Sequence, residues 1–173
     1  MQAGYTPFAQ KGPDGLKVEV LAKRVGKSKS SFYHHFADVE VFTERLLSYH
    51  MERVLFIADL ERQCQRVVPD LLRLLLTVEE DLLFNRQLRS HRAIPAFRTC
   101  IETTNREIAG AILPVWAEAF GLTDRPHVAR LLLTLVIDNF YLQLTHQPLT
   151  YQWLLSYVSE LRSMVRQMAM IEI

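Results

Sequence analysis

Between Lys29 and His35 the sequence gathers an ammonium, two hydroxyls, a phenol and two imidazoles: Lys29, Ser30, Ser31, Tyr33, His34 and His35. The set is rich in hydrogen-bond donors and holds no carboxylate, which suits contact with phosphate oxygens and base edges better than proton transfer. His34 and His35 are adjacent and would project about 100° apart on a helix, so they cannot readily share one metal ion. Lys17 and Lys27 lie just upstream. All five lysines of the chain fall in its first 29 residues, and after Arg45 only arginine supplies fixed positive charge. In a chain of formal net charge +1, a local basic cluster is what a phosphate-binding surface would leave. An ordinary solvated face would also be rich in lysine.

Other reactive residue types are thinly spread. Glu79, Glu80 and Asp81 are adjacent and read as a solvated face; Glu102 with Glu107, and His91 with Asp138, lack the context of an acid-base pair. With no glycine-rich phosphate loop and no nucleophile elbow, no catalytic residue is expected and the chain does not read as an enzyme. Cys64 and Cys100 are far apart and have no close His at metal-ligand spacing. They read as buried free thiols, with no metal and no cofactor implied. Arg98, Trp116, Phe120, Asn139, Phe140 and Tyr141 could line a small-molecule cavity with aromatic walls and a few polar anchors. Each taken singly reads first as an ordinary core or helix-surface residue.

The elements that would position these residues are helical. Apolar residues recur at three and four rather than alternating, so the fold is expected to be all-α. A short first helix should end at Gly12, and Gly12-Pro13-Asp14-Gly15 reads as a turn. Lys17 to Val25 forms a second helix with Val18, Leu21, Ala22 and Val25 on one face. Gly26 stops it, and Ser28 caps a helix reaching about His35. Asp38 should cap a long helix running toward Arg66. Pro69 to about Asn85 reads as one helix with Asp70 near its positive end. Pro95 to Phe120 is a long segment that Pro114 should kink or split. Helices from Asp124 or Arg125 to about Leu144, and from a Thr150 cap to about Met168, complete the chain.

Two short helices joined by a glycine-bearing turn, the second opening on a capping serine, form the helix-turn-helix pattern. Ala22 lets the helices cross closely, Val25 and Phe32 are expected to fill the wedge, and the polar residues after Lys29 face outward. The stretch Gly15 to Phe36, GLKVEVLAKRVGKSKSSFYHHF, resembles the DNA-binding signature of the TetR (tetracycline repressor) family of bacterial transcriptional regulators. It carries Ala22 four residues before Gly26, Ser28 two after it, then Phe32-Tyr33 and Phe36. Val39 stands where the family usually has lysine at the start of the fourth helix.

The resemblance implies an N-terminal three-helix domain, about residues 1–48, that reads double-stranded DNA, and a larger helical domain, 49–173, that dimerises and senses a small molecule. Lys29, Ser30 and His34 would then touch base edges, Ser31 and Tyr33 phosphates, with His35 and the capping Ser28 on the same surface and Lys17 and Lys27 adding electrostatic grip. It further implies a homodimer on a near-palindromic operator, acting most often as a repressor released by its effector. On the last helix Trp153, Tyr157 and Met164 form one apolar stripe, and Leu161, Val165 and Met168 belong to a second. The helix before it is apolar nearly all round. The excess suggests a partner chain, a helix buried within the monomer being the competing explanation. No apolar run reaches the ~20 residues of a membrane span and no secretory signal opens the chain, so a soluble cytoplasmic protein is expected. The alternative function is a helical interaction or ligand-carrier protein that has lost operator binding.

Overall fold

The computed structural model describes residues 1–144 and 148–170, and among them every regular element is helical. In chain order these are α1 (Gln2–Lys11), α2 (Val18–Val25), α3 (Lys29–His35), α4 (Val39–Glu61), α5 (Leu72–Thr77), α6 (Glu79–Ser90), α7 (Pro95–Ala119), α8 (Pro126–Gln143) and α9 (Tyr151–Met170). The all-α expectation holds.

Local chemistry accounts for most of the boundaries. Gly26 adopts φ 64°, ψ 32°, a left-handed conformation that costs glycine little and ends α2. Ser28 Oγ accepts from Ser31 N–H at 3.2 Å, Asp38 Oδ1 from Val41 N–H at 2.8 Å, and Thr150 Oγ1 from Trp153 N–H at 3.2 Å. Each hydroxyl or carboxylate satisfies one of the orphan donors of a helix's first turn.

Several boundaries differ from the sequence reading. The Gly12–Leu16 turn is a short 3-10 helix, and α4 stops at Glu61, short of Arg66. The segment expected to run unbroken from Pro69 to Asn85 is divided at Val78, whose φ −118° and ψ 26° leave the α region. Its start is a single wide turn, Val67–Leu71. Asp70 there accepts from the N–H groups of Gln65 and Arg66 at 3.1 and 3.0 Å, so it ties the preceding loop instead of capping a helix. In α7, by contrast, the helix runs on through Pro114 without a break. Val25, expected in the wedge, is 49% exposed. It sits on the last turn of α2 and borders an open groove with Ser28 and Phe32.

Two apolar cores follow. One gathers Tyr5, Phe8, Leu16, Leu21, Phe32, Phe42 and Leu46 with Phe84 and Leu88 of α6 and Phe97 of α7. Its centre is aromatic: Phe84 stacks on Tyr5 at 4.4 Å and lies 4.3 Å from Phe8, and Phe8 meets Phe97 edge-on at 5.5 Å. The N-terminal helices therefore rest on α6 and α7, with α4 running from one core to the other. The second core joins α5, α7, α8 and α9 around Leu72, Ile112, Trp116, Leu133 and Leu154. α1 is fully formed despite its internal Pro7. A side chain at Gly4 would meet Phe42 at 2.5 Å, and one at Gly15 the Pro7 carbonyl at 2.2 Å; both glycines are there for close approach.

Candidate nucleic-acid interface and the groups joined to it

α2 and α3 pack through Val18, Leu21, Ala22 and Phe32, and Phe32 is the one residue of α3 that is buried. Everything else on α3 is available to a partner. Lys29, Ser30, Tyr33, His34 and His35 are exposed, as are Lys17 and Lys27, while Ser31 is half-buried. The polar set that the sequence singled out thus shares one short, outward-facing helix and its flanks.

Some of these groups have intramolecular partners. Lys29 Nζ pairs with the Glu19 carboxylate of α2, and that hydrogen bond holds the Glu19 carboxyl below its usual range. Lys17 pairs with Asp14 at 2.8 Å. Ser28 spends its oxygen on the helix cap. The His34 and His35 ring centroids are 5.5 Å apart, and among the described residues no group of three or more His, Cys, Asp or Glu is placed to hold a metal ion. Val39 opens α4 half-buried against the aromatic core.

Behind this face lies a polar network that the sequence reading missed. The Tyr5 hydroxyl donates to Asp81 Oδ1 at 2.6 Å and lies 2.6 Å from His50 Nδ1. Arg53 grips the same carboxylate twice, Nε to Oδ1 at 2.5 Å and Nη2 to Oδ2 at 2.7 Å. Asp81, expected on a solvated face with Glu79 and Glu80, is instead buried, because it is the common acceptor for α1 and α4. Burial and the neighbouring Asp81 raise the Tyr5 phenol well above its ordinary range, and burial drops His50 to about 4. One and two turns further along α6, Asn85 and Arg89 continue the row. Asn85 donates to the Asp81 carbonyl at 3.1 Å, and Arg89 contacts the Asn85 carbonyl, Asn105 of α7 and, at 2.9 Å, Asp138 of α8. A polar stripe at four-residue spacing, set among Leu82, Phe84 and Leu88, was the signal in the sequence. α6 thereby connects α1, beneath the helix-turn-helix, to α8.

A cavity of about 80 Å³ lies between α5, α7, α8 and α9. Of the residues considered for a ligand site, Trp116, Phe140 and Tyr141 line it. Phe120 lies tilted against Trp116, ring centroids 4.3 Å apart. Asn139 is exposed and accepts from the Tyr157 hydroxyl at 3.1 Å, and Arg98 is exposed on the first turn of α7, outside the cavity wall. Tyr157 and Leu161, considered for a partner interface, also line the cavity. Glu61 reaches it as well, and nothing in its sequence context signalled that.

α8 carries an uncovered apolar stripe at steps of three, four and seven residues: Val128, Leu131, Leu135 and Leu142, with Leu131 60% and Leu135 67% exposed. Met164 and Met168 of α9 are exposed too, and Trp153, Tyr157, Leu161 and Val165 are half-buried. No described helix is long and apolar enough to cross a membrane.

Residues 1–44 match the family model for bacterial regulatory proteins, tetR family. A crystal structure from Rhodococcus sp., described as a putative TetR-family transcriptional regulator, aligns over 95% of this chain and 93% of its own with a TM-score of 0.58 and 25% identity. No curated protein matches the sequence. The helix-turn-helix segment is thus similar in sequence to the tetR-family regulators, and the chain as a whole is similar in fold to that solved structure.

Proposed function

We propose that the protein is a ligand-responsive repressor that binds a near-palindromic operator as a homodimer and is released by a small-molecule effector. The observation that carries this reading is the exposed Lys29-Ser30-Tyr33-His34 face of α3, anchored by Phe32 and the Ser28 cap. Lys29, Ser30 and His34 meet base edges; Ser31 and Tyr33 meet phosphates; Lys17, Lys27, Ser28 and His35 border the same surface. Residues 1–48 act as the DNA-reading unit and 49–173 as the sensing and dimerising one, in the cytoplasm and without a catalytic step.

Dimerisation runs through α8 and α9. A contiguous exposed apolar stripe is unusual on a monomer and fits a self-complementary two-fold interface. The effector occupies the cavity lined by Trp116, Phe140 and Tyr141, whose walls belong to the same α8 and α9. Occupancy can shift DNA binding only through different affinity for two arrangements of the dimer, and the α6 polar row is a continuous physical link from α8 to α1.

The test is fluorescence anisotropy on duplex DNA over a salt series. Wild type should bind with a steep log-log slope, and Lys17→Ala and Lys27→Ala should each flatten it by about one unit for every phosphate that the missing ammonium would have neutralised. No binding even at low salt would favour a helical ligand carrier or interaction protein instead.

A further inference from the structure

The wall of the cavity is mostly apolar and carries a single ionisable carboxyl. Its lining includes no Lys, Arg or His, and its one carboxylate is Glu61, the last residue of α4. Glu61 is 4% exposed, and its Oε2 has no hydrogen-bond partner among the described residues. Nearby, the indole N–H of Trp116 is also buried and unpartnered. Buried polar atoms are nearly always satisfied, so an orphaned carboxylate oxygen in an aromatic pocket points to a group that is absent here.

The electrostatics define that group. A carboxylate at a helix C-terminus adds its charge to the negative end of the α4 dipole, where a cation is favoured. Burial pushes the Glu61 carboxyl up to about 8 against the lowering pull of Arg62. Arg62 does not relieve it, because its guanidinium pairs with Asp59 at 2.6 Å and lies 3.8 Å from Glu107. The other titratable neighbours are Cys64, Tyr141 and Tyr157, each held toward its neutral form by burial. Trp116, Phe140, Tyr141 and Tyr157 supply ring faces that attract cations.

We propose that the cavity takes a small apolar organic amine, its ammonium on the Glu61 carboxylate and its hydrocarbon against the aromatic rings. This rests on the reading of the cavity as the effector site, and it excludes organic acids, for which the wall has no cation. The free space suits a head group with a few carbons. Pairing with an ammonium stabilises ionised Glu61, so binding near pH 7 should expel a proton from the carboxyl.

The probes are n-butylamine, 1-butanol and butyrate, titrated into the full chain and followed by tryptophan fluorescence and by calorimetry in two buffers of different ionisation enthalpy. The amine should bind at least about tenfold more tightly than the alcohol and release a proton, with butyrate weakest. Glu61→Gln, close in shape, should erase that preference while the alcohol binds as before. The buffer comparison on wild type reads proton release even if the variant folds poorly. Equal binding of amine and alcohol without proton release would overturn the charge selection and leave the cavity as an effector site. Binding of none of the three would overturn both readings.

Discussion

Lys29 of α3 donates its ammonium to the Glu19 carboxylate of α2 across the helix-turn-helix, with both side chains exposed. On the proposed reading Lys29 meets a base edge, so DNA would have to displace Glu19 to engage it. Glu19→Gln should strengthen operator binding several-fold at low salt, since it removes both a competitor and a negative charge beside the phosphates. Lys29→Ala should relax base preference at one operator position by ~1–3 kcal/mol, whereas Tyr33→Phe should weaken all sequences alike. Binding to an operator-variant panel checks this, and equal, sequence-independent losses for both would remove Lys29 from the base-reading set.

The uncovered stripe on α8 predicts the assembly. Sedimentation should give a dimer, and Leu131→Glu with Leu135→Glu should give a folded monomer, because both side chains point out of the monomer. Leu161 is the weaker choice for such a test, since it also lines the internal cavity and a charge there would disturb the fold. A wild-type monomer at micromolar concentration would leave two recognition helices unable to address one face of a duplex at ~34 Å spacing.

Asp81 is the acceptor that Tyr5 and Arg53 share. Asp81→Ala strands both groups beside an already buried His50, so a loss of roughly 2–4 kcal/mol in chemical unfolding is expected, discounted because Arg53 is partly solvated. Tyr5→Phe should cost only about 1 kcal/mol. If the polar row carries effector information to α1, Tyr5→Phe should also weaken the effect of ligand on DNA affinity while leaving ligand affinity unchanged.

Local chemistry fixes some of the boundaries and leaves others to tertiary packing. Gly26, Ser28, Asp38 and Thr150 act within three or four residues of themselves, and each boundary they set was legible in the sequence. The break at Val78 was not, because a β-branched residue without glycine or proline gives no stop signal and tertiary packing decides it. Pro114 does not split α7. The Tyr5–Asp81 and Arg53–Asp81 contacts span 76 and 28 residues, a separation at which three adjacent acids look like a solvated face. Glu61 likewise looks like any helix-ending acid until α7, α8 and α9 close over it.

Glu61 also predicts a pH signature. Its carboxyl titrates near 8 in the folded chain against an ordinary 4.5, so the folded state holds a proton the unfolded state has lost. That contribution is complete below about pH 4.5 and is lost as pH rises through 8. His50, lowered to about 4 by burial, works oppositely: its contribution is present above 6.5 and lost as pH falls toward 4. The Glu61 effect is therefore cleanest between pH 6.5 and 8, where wild type should lose up to about 2 kcal/mol relative to Glu61→Gln. Parallel stability curves for the two proteins across that window would show that the carboxyl is not buried in solution.

Selection of genomic DNA fragments on the purified protein tests the central claim that this chain reads DNA. The account predicts enrichment of a few fragments sharing a near-palindromic site with half-sites about one helical turn apart, lost on combining Lys29→Ala with Tyr33→Phe. Recovery of fragments without a common site, or equal recovery by the double variant, would contradict it.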